Sequence, residues 1–240
     1  MTVTTKQKPI PTTYYMNNML PVQCLARKEY IKYLGIIIDN KLTFNRHIET
    51  KCASATRVLN MLRRNLHFAP RQVKSTAYMT CVRPILEYAS TCWSPVSLKQ
   101  KKAIESVQNR AAKFTCNIYP QKDKYDEFSI SSLIEDLQWD LLETRRNNAK
   151  ISMVYKILNS QVILPPSTLP RATHNRTPRY CNEPKVGTKN QLFEPHSRLI
   201  TTGKTFFFSA PSLWNNCVTP KQANAPSFDA FKKHRSNCHD

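Results

Sequence analysis

The chain has 240 residues, and its 36 Lys and Arg against 16 Asp and Glu give a formal charge of +20 and a pI near 9.8. That excess is far beyond what solubility needs, and it points to a polyanionic partner, nucleic acid first, whose binding weakens steeply with salt. Three glycines, with no GxxxxGK[ST] or GxGxxG, exclude a phosphate-cradling glycine loop of the P-loop kind.

Eight cysteines (Cys24, Cys52, Cys81, Cys92, Cys116, Cys181, Cys217, Cys238) are scattered without a CxxC pair. Several fall at apolar helix positions, so they read as reduced thiols of an intracellular protein and not as a disulfide framework. Met1 to Tyr15 is polar and has no apolar core, so no signal peptide is expected. No apolar run reaches the roughly 18 residues of a membrane span, and no membrane partner is expected.

In chain order, residues 9–38 read as a β-hairpin. Its strands are Thr12 to Met16 and Tyr30 to Ile38, and Asn17-Asn18 is the candidate turn. Residues 43–67 predict a helix, because Phe44, Ile48, Cys52, Ala55, Leu59, Leu62 and Leu66 recur at spacings of three and four. Ala69-Pro70 ends it. A second helix is predicted from Arg71 to Thr91, with Val73, Ala77, Cys81, Ile85 and Ala89 inward and a kink at Pro84. Trp93-Ser94-Pro95 closes it. A third runs from Leu98 to Asn117, with Ile104, Val107, Ala111 and Phe114 inward.

Pro120 to Glu127 reads as a polar loop. Ser132-Leu133-Ile134-Glu135 has the form of a capping box, and a helix or helix pair follows from Leu133 to Asn159, stopped at Leu164-Pro165-Pro166. Residues 165–198 are rich in Pro, Thr, Asn and Arg and read as an irregular or partly disordered linker. Phe206 to Trp214 is an aromatic cluster suited to docking on the helices, and Ala225-Pro226-Ser227 opens a last helix from Phe228 to about Ser236.

From Lys41 to Lys113, fourteen Lys and Arg residues face only Glu49, Glu87 and Glu105. A solvated helical surface mixes signs, so this imbalance favours a contact surface for nucleic acid. The basic doublets beside aromatics are Arg63-Arg64 with Phe68, Lys101-Lys102 near Trp93, and Arg145-Arg146 near Trp139. Such cations would contact phosphates, which positions a strand without reading its sequence. The aromatics read as core.

Chemistry-bearing candidates are sparse. Asp126-Glu127 lies in a Lys-rich loop, and Glu135-Asp136 reads as a helix's first turn, where acids favour the dipole. Asp39 follows Ile36-Ile37-Ile38 and reads as a turn residue. Cys217, His234, Cys238 and His239 have a metal-like spacing but lack the paired knuckle of strong zinc sites. His47, His67, His174 and His196 stand alone, and no catalytic triad can be assembled.

Taken in order, the motifs resemble a known family. Lys32-Tyr33-Leu34-Gly35 is followed by Asp39, Leu42, Phe44 and His47-Ile48, then Arg63-Arg64-Asn65-Leu66, Ala77-Tyr78, and Val82 to Ser90 with Trp93. Val107 to Phe114, Leu137-Gln138-Trp139 with Leu142 and Arg145-Arg146, Met153-Tyr155-Lys156-Ile157, Phe207-Phe208 with Trp214-Asn215, and Ala225 to Phe228 with Phe231-Lys232 complete the set. This ordered set resembles the C-terminal part of reverse transcriptases of LINE-type (non-LTR) retrotransposons, in their jockey-like group, from about Lys6 to Arg235.

The resemblance implies a mainly α fold. Residues 1–40 would be a palm-remnant β-hairpin, 41–118 a basic thumb-like helical bundle, 119–164 a helical post-polymerase region, and 165–240 a linker, aromatic cluster and terminal helix. Tyr33-Leu34-Gly35 would correspond to the primer grip. In the family a Tyr-Ala-Asp-Asp turn upstream of that segment carries the catalytic aspartates; this sequence contains none and would start beyond it. No catalytic or metal residue is therefore expected. No cofactor is expected either, Mg²⁺ belonging only to the full-length parent.

The expected nucleic-acid-binding residues are Tyr33, Leu34, Gly35, Arg63, Arg64, Lys101, Lys102 and Arg110. The expected partners are RNA, RNA–DNA hybrid or DNA, held through phosphates, in an intracellular and by inference nuclear location. A non-catalytic basic protein put to a host use is the alternative, and the sequence leaves oligomeric state open. A lone hairpin would also leave sheet edges exposed.

Overall fold

The computed structural model describes residues 28–118, 129–164, 169, 186–196 and 203–236. The expected strand Thr12 to Met16, the Asn17-Asn18 turn, the loop 120–127 and most of the linker lie outside these residues. The fold is mainly helical with one two-stranded hairpin near its start.

The hairpin lies within what the sequence suggested was one strand. β1 (Tyr30–Tyr33) pairs antiparallel with β2 (Ile36–Asp39), Tyr33 opposite Ile36. Leu34 and Gly35 form the two-residue turn, with φ of 45° and 79°. Two successive positive φ values are what a type I′ turn requires, and its twist matches that of the strands. The missed signal was Leu-Gly, because a leucine at positive φ is uncommon. β1 is exposed, whereas β2 is half-buried and sends Ile36 into the helical core.

Asp39 then organises the entry to the first helix. Its carboxylate accepts the backbone N–H groups of Lys41 (3.0 Å), Thr43 (3.0 Å) and Phe44 (2.8 Å) and the Thr43 hydroxyl (3.1 Å). Partial burial pushes its pKa up, but these hydrogen bonds outweigh burial and hold it below the ordinary carboxylate value. They also offset the left-handed backbone of Leu42 and Phe44, which costs about 1–2 kcal/mol per residue.

α1 (Asn45–Asn65) buries Ile48, Ala55, Leu59 and Leu62, as its periodicity predicts. It also buries His47, which looked isolated in the sequence. Nδ1 of His47 accepts the Ile37 N–H at 3.2 Å, and its ring meets Trp93 edge-on at 5.1 Å. The histidine thus joins hairpin to helix.

The second helical stretch corrects the predicted face. α2 (Arg71–Ala77), a π-helical turn (Tyr78–Val82) and α3 (Arg83–Glu87) bury Lys74, Tyr78, Val82 and Leu86, one residue on from the expected set. Val73 and Cys81 are exposed. The apolar count was misled because one inward position is a lysine. Lys74 is fully buried, donates from Nζ to His67 O (2.8 Å) and to Asn117 Oδ1, and lies over the Phe114 ring at 5.0 Å. The π turn bonds Arg83 N–H to Tyr78 O just before Pro84, so the proline sits in α3's first turn where no donor is needed.

α4 (Leu98–Thr115) buries Ile104, Val107, Ala111 and Phe114, as predicted. It opens on a capping box between Ser97 and Gln100. The Gln100 side chain also donates to Thr43 O (3.0 Å), tying α4 to the entry of α1.

The expected box at Ser132 is absent. α5 (Ile130–Asp136) begins at Ser129, so Ser132 lies inside it, and Glu135-Asp136 occupies its last turn, where Asp136 pairs with Arg71. Trp139 stacks on Tyr78 at 4.3 Å and donates to Ser75 Oγ. Gln108 accepts the Tyr78 hydroxyl (3.0 Å) and donates to Asp140 O (2.9 Å). These contacts close the first core around α1 to α5.

α6 (Leu142–Leu158) belongs to two cores. Its start places Leu142 in the first, and Ile151, Val154 and Tyr155 build the second. The second core adds α7 (Phe206–Cys217), α8 (Pro220–Ala223) and α9 (Phe228–Ser236), with Phe231 stacked on Tyr155 at 4.4 Å. The linker reading is corrected for 186–196, where Val186 and Leu192 are buried. Asn215 makes this possible: its amide accepts Leu192 N–H (2.9 Å) and donates to Leu192 O (2.9 Å), as a neighbouring strand would. Among the described residues no helix is long and apolar enough to cross a membrane.

Candidate nucleic-acid interface

At 100° per residue, Arg46, Arg57 and Arg64 fall within about 20° of one another on α1, along roughly 27 Å of helix. All three are exposed. On α4, Lys99, Lys102 and Arg110 share the solvent face. The two faces are linked where Arg110 donates from Nη2 to Thr56 Oγ1 at 2.9 Å. No ion pair among the described residues engages Arg46, Arg57, Arg64, Lys99 or Lys102. Several other cations of the segment are committed: Lys74 is buried, Arg71 pairs with Asp136, and Arg83 lies 4.0 Å from Glu87.

The expected site residues do not gather in one place. Arg63 and Arg64 end α1, where with Asn60, His67 and Phe68 they line a shallow depression of about 640 Å³. Phe68 is 97% exposed, which corrects its reading as core. Trp93 and Trp139 are core as read. An exposed aromatic beside two arginines can stack a base while the cations hold phosphates. Lys102 faces solvent, but Lys101 turns to the other side of α4 and pairs with Glu143. Arg145 pairs with Glu87 and Asp140, and Arg146 is buried.

Tyr33 and Leu34 are exposed and form the hairpin tip with half-buried Gly35, near the other end of α1. The Tyr88 hydroxyl donates to Leu34 O at 3.0 Å, and a Cβ on Gly35 would stand 3.3 Å from the Tyr88 ring. Lys51 Nζ sits 4.9 Å from the centre of that ring, about 20 Å along α1 from Arg64. The tip and Arg63-Arg64 are therefore separate patches, joined by the arginine row. Sequence reading missed Arg46 and Arg57 as members of that row, although the spacings of eleven residues from Arg46 to Arg57 and seven from Arg57 to Arg64 place all three on one face.

The described residues do not bring together a Mg²⁺ centre. Both Asp39 oxygens are engaged by amides and a hydroxyl, and among the described residues no three His, Cys, Asp or Glu side chains gather to hold a metal. Of the Cys217, His234, Cys238 and His239 set, only the Cys217 side chain is among those described; it is an exposed free thiol. Cys52, Cys81, Cys92 and Cys116 are also free, while Cys24, Cys181 and Cys238 lie outside the described residues.

Comparison with known proteins gives one informative likeness. The "Probable RNA-directed DNA polymerase from transposon BS" of Drosophila melanogaster is 28% identical over 116 residues, which cover 44% of this chain and 13% of that protein. The similarity supports a relationship to transposon reverse transcriptases. The matched stretch is a small part of that protein's own length. No family model matches the chain, and no solved structure matches it.

Proposed function

We propose that this chain corresponds to the end of the palm, the thumb and the post-polymerase region of a jockey-like non-LTR reverse transcriptase, and that it binds RNA or RNA–DNA hybrid without sequence preference. The observation that carries the reading is the row of exposed arginines on α1, in no ion pair among the described residues although Arg46 lies over the Tyr30 ring and Arg57 donates to Ser54 Oγ, beside the cationic face of α4. A row about 27 Å long can follow a nucleic-acid backbone across several phosphates. Exposed Phe68 at its end supplies a sequence-tolerant stacking surface.

The likeness to a transposon polymerase and the ordered motifs support the family; the exposed cations support the binding. These 240 residues contain no Tyr-Ala-Asp-Asp turn, and their best-placed strand-end acid, Asp39, serves the backbone. The chain by itself is therefore a binding element and not a polymerase. Photo-crosslinking of an RNA–DNA hybrid to the purified chain, followed by peptide mapping, tests this. Crosslinks in peptides carrying α1 and Phe68 are expected. Crosslinks confined to 186–236 would overturn the assignment of the surface.

A further inference from the structure

Between the two cores, the inward face of α6 runs Leu142, Arg146, Lys150, Val154 at intervals of four. All four are buried, so an apolar stripe is interrupted by two consecutive buried cations. A buried charge is costly unless it is paired, and neither cation is fully paired. Arg146 is 4% exposed, and neither Nη1 nor Nη2 has a hydrogen-bond partner. The nearest carboxylate, Glu105, stands 3.5 Å from Nη2 and is already occupied by the N–H groups of Leu142 and Glu143. Lys150 donates to the neutral Ser209 hydroxyl at 2.8 Å.

Both residues line a half-open cavity of about 410 Å³ between α4, α6 and α7. Lys101, Lys204, Ser209 and Ser212 also line it. Glu143 is the single acid on the wall among the described residues, and it is held by Lys101. Pro95, Phe208 and Leu213 give one wall an apolar character. Burial first, and then Lys204, Arg146 and Lys101, pull Lys150 down to a pKa of about 8. An anion in the cavity would relieve that penalty.

We infer that this cavity is a phosphate-binding site for a phosphate monoester, separate from the α1–α4 surface. Four converging cations suit a group carrying close to two negative charges, and the volume leaves room for a nucleoside beside the apolar wall. The monoester can come from a free nucleotide or from the phosphorylated end of an oligonucleotide.

Calorimetric titration of the full chain with inorganic phosphate and with adenosine 5′-monophosphate tests the inference. Saturable binding of one ion per chain is expected. It should weaken about tenfold in Lys204→Gln, an exposed position whose loss leaves the fold intact, and stay unchanged in Arg57→Gln/Arg64→Gln. An oligonucleotide pair differing only in a 5′-phosphate separates the sources. A tenfold preference for the phosphorylated strand, lost in Lys204→Gln, identifies a strand end. No preference, with AMP still saturating, identifies the free nucleotide. Absence of saturable binding by folded wild type at millimolar phosphate and AMP, or equal affinity in Lys204→Gln and wild type, overturns the proposal. Neither result bears on hybrid binding by α1.

Discussion

Acid should loosen the joint between hairpin and helix through His47. The side chain is fully buried, its Nδ1 is needed as an acceptor by Ile37 N–H, and its Nε2 has no partner among the described residues. Burial first, and Lys51 second, pull its pKa from 6.5 to about 4. The folded state therefore disfavours the proton that the unfolded chain accepts. Stability is full above pH 6.5, declines as pH falls, and has lost this whole contribution below pH 4. Two ordinary titrations at 6.5 and 4 put the loss at about 2 kcal/mol by pH 5 and about 3 kcal/mol at the limit. His47→Gln keeps an acceptor for Ile37 and does not titrate. Urea denaturation of both proteins between pH 7.5 and 5, followed by tryptophan fluorescence, should show wild type losing about 2 kcal/mol more than the variant. Parallel losses in the two proteins would refute the reasoning.

The remaining expectations concern the hairpin tip, the buried lysine and activity. Gly35→Ala places a side chain at φ +79° and 3.3 Å from Tyr88, so it should lower stability by roughly 1–2 kcal/mol in a urea melt, whereas a change at exposed Tyr33 should not. Lys74→Met keeps a side chain of similar length but removes the donor to His67 O and Asn117 Oδ1 and the cation over Phe114; a loss of about 1–3 kcal/mol is expected by thermal or urea unfolding. Primer extension on a poly(rA) template with Mg²⁺ should give no product from the purified chain, and template-dependent synthesis would contradict the reading of Asp39.

Helices with regular apolar spacing were legible in the sequence. Ile48, Ala55, Leu59 and Leu62 of α1 and Ile104, Val107, Ala111 and Phe114 of α4 lie inward because nothing polar competes for those positions. The face of α2 and α3 was not legible, because Lys74 occupies a core position and its two acceptors come from residues distant in sequence or on a helix end. The hairpin turn was hidden for a local reason, since Leu34 takes a conformation its own chemistry disfavours and is held there by Tyr88. The packing of 186–196 depends on Asn215, some twenty residues away, and no local pattern announces it. For the candidate interface, charge count pointed to the segment from Lys41 to Lys113. Only geometry separates the exposed arginines, which no carboxylate among the described residues holds, from lysines such as Lys74 and Lys101, which are buried or ion-paired.

The salt dependence of RNA–DNA hybrid binding tests the central claim most directly. Fluorescence anisotropy of a labelled hybrid should give a linear fall of log K with log salt for wild type. The Arg46→Gln/Arg57→Gln/Arg64→Gln protein should bind more weakly, with a slope shallower by about 2 to 3. A wild-type chain that fails to bind at low salt, or a triple variant with the wild-type slope, would contradict the account.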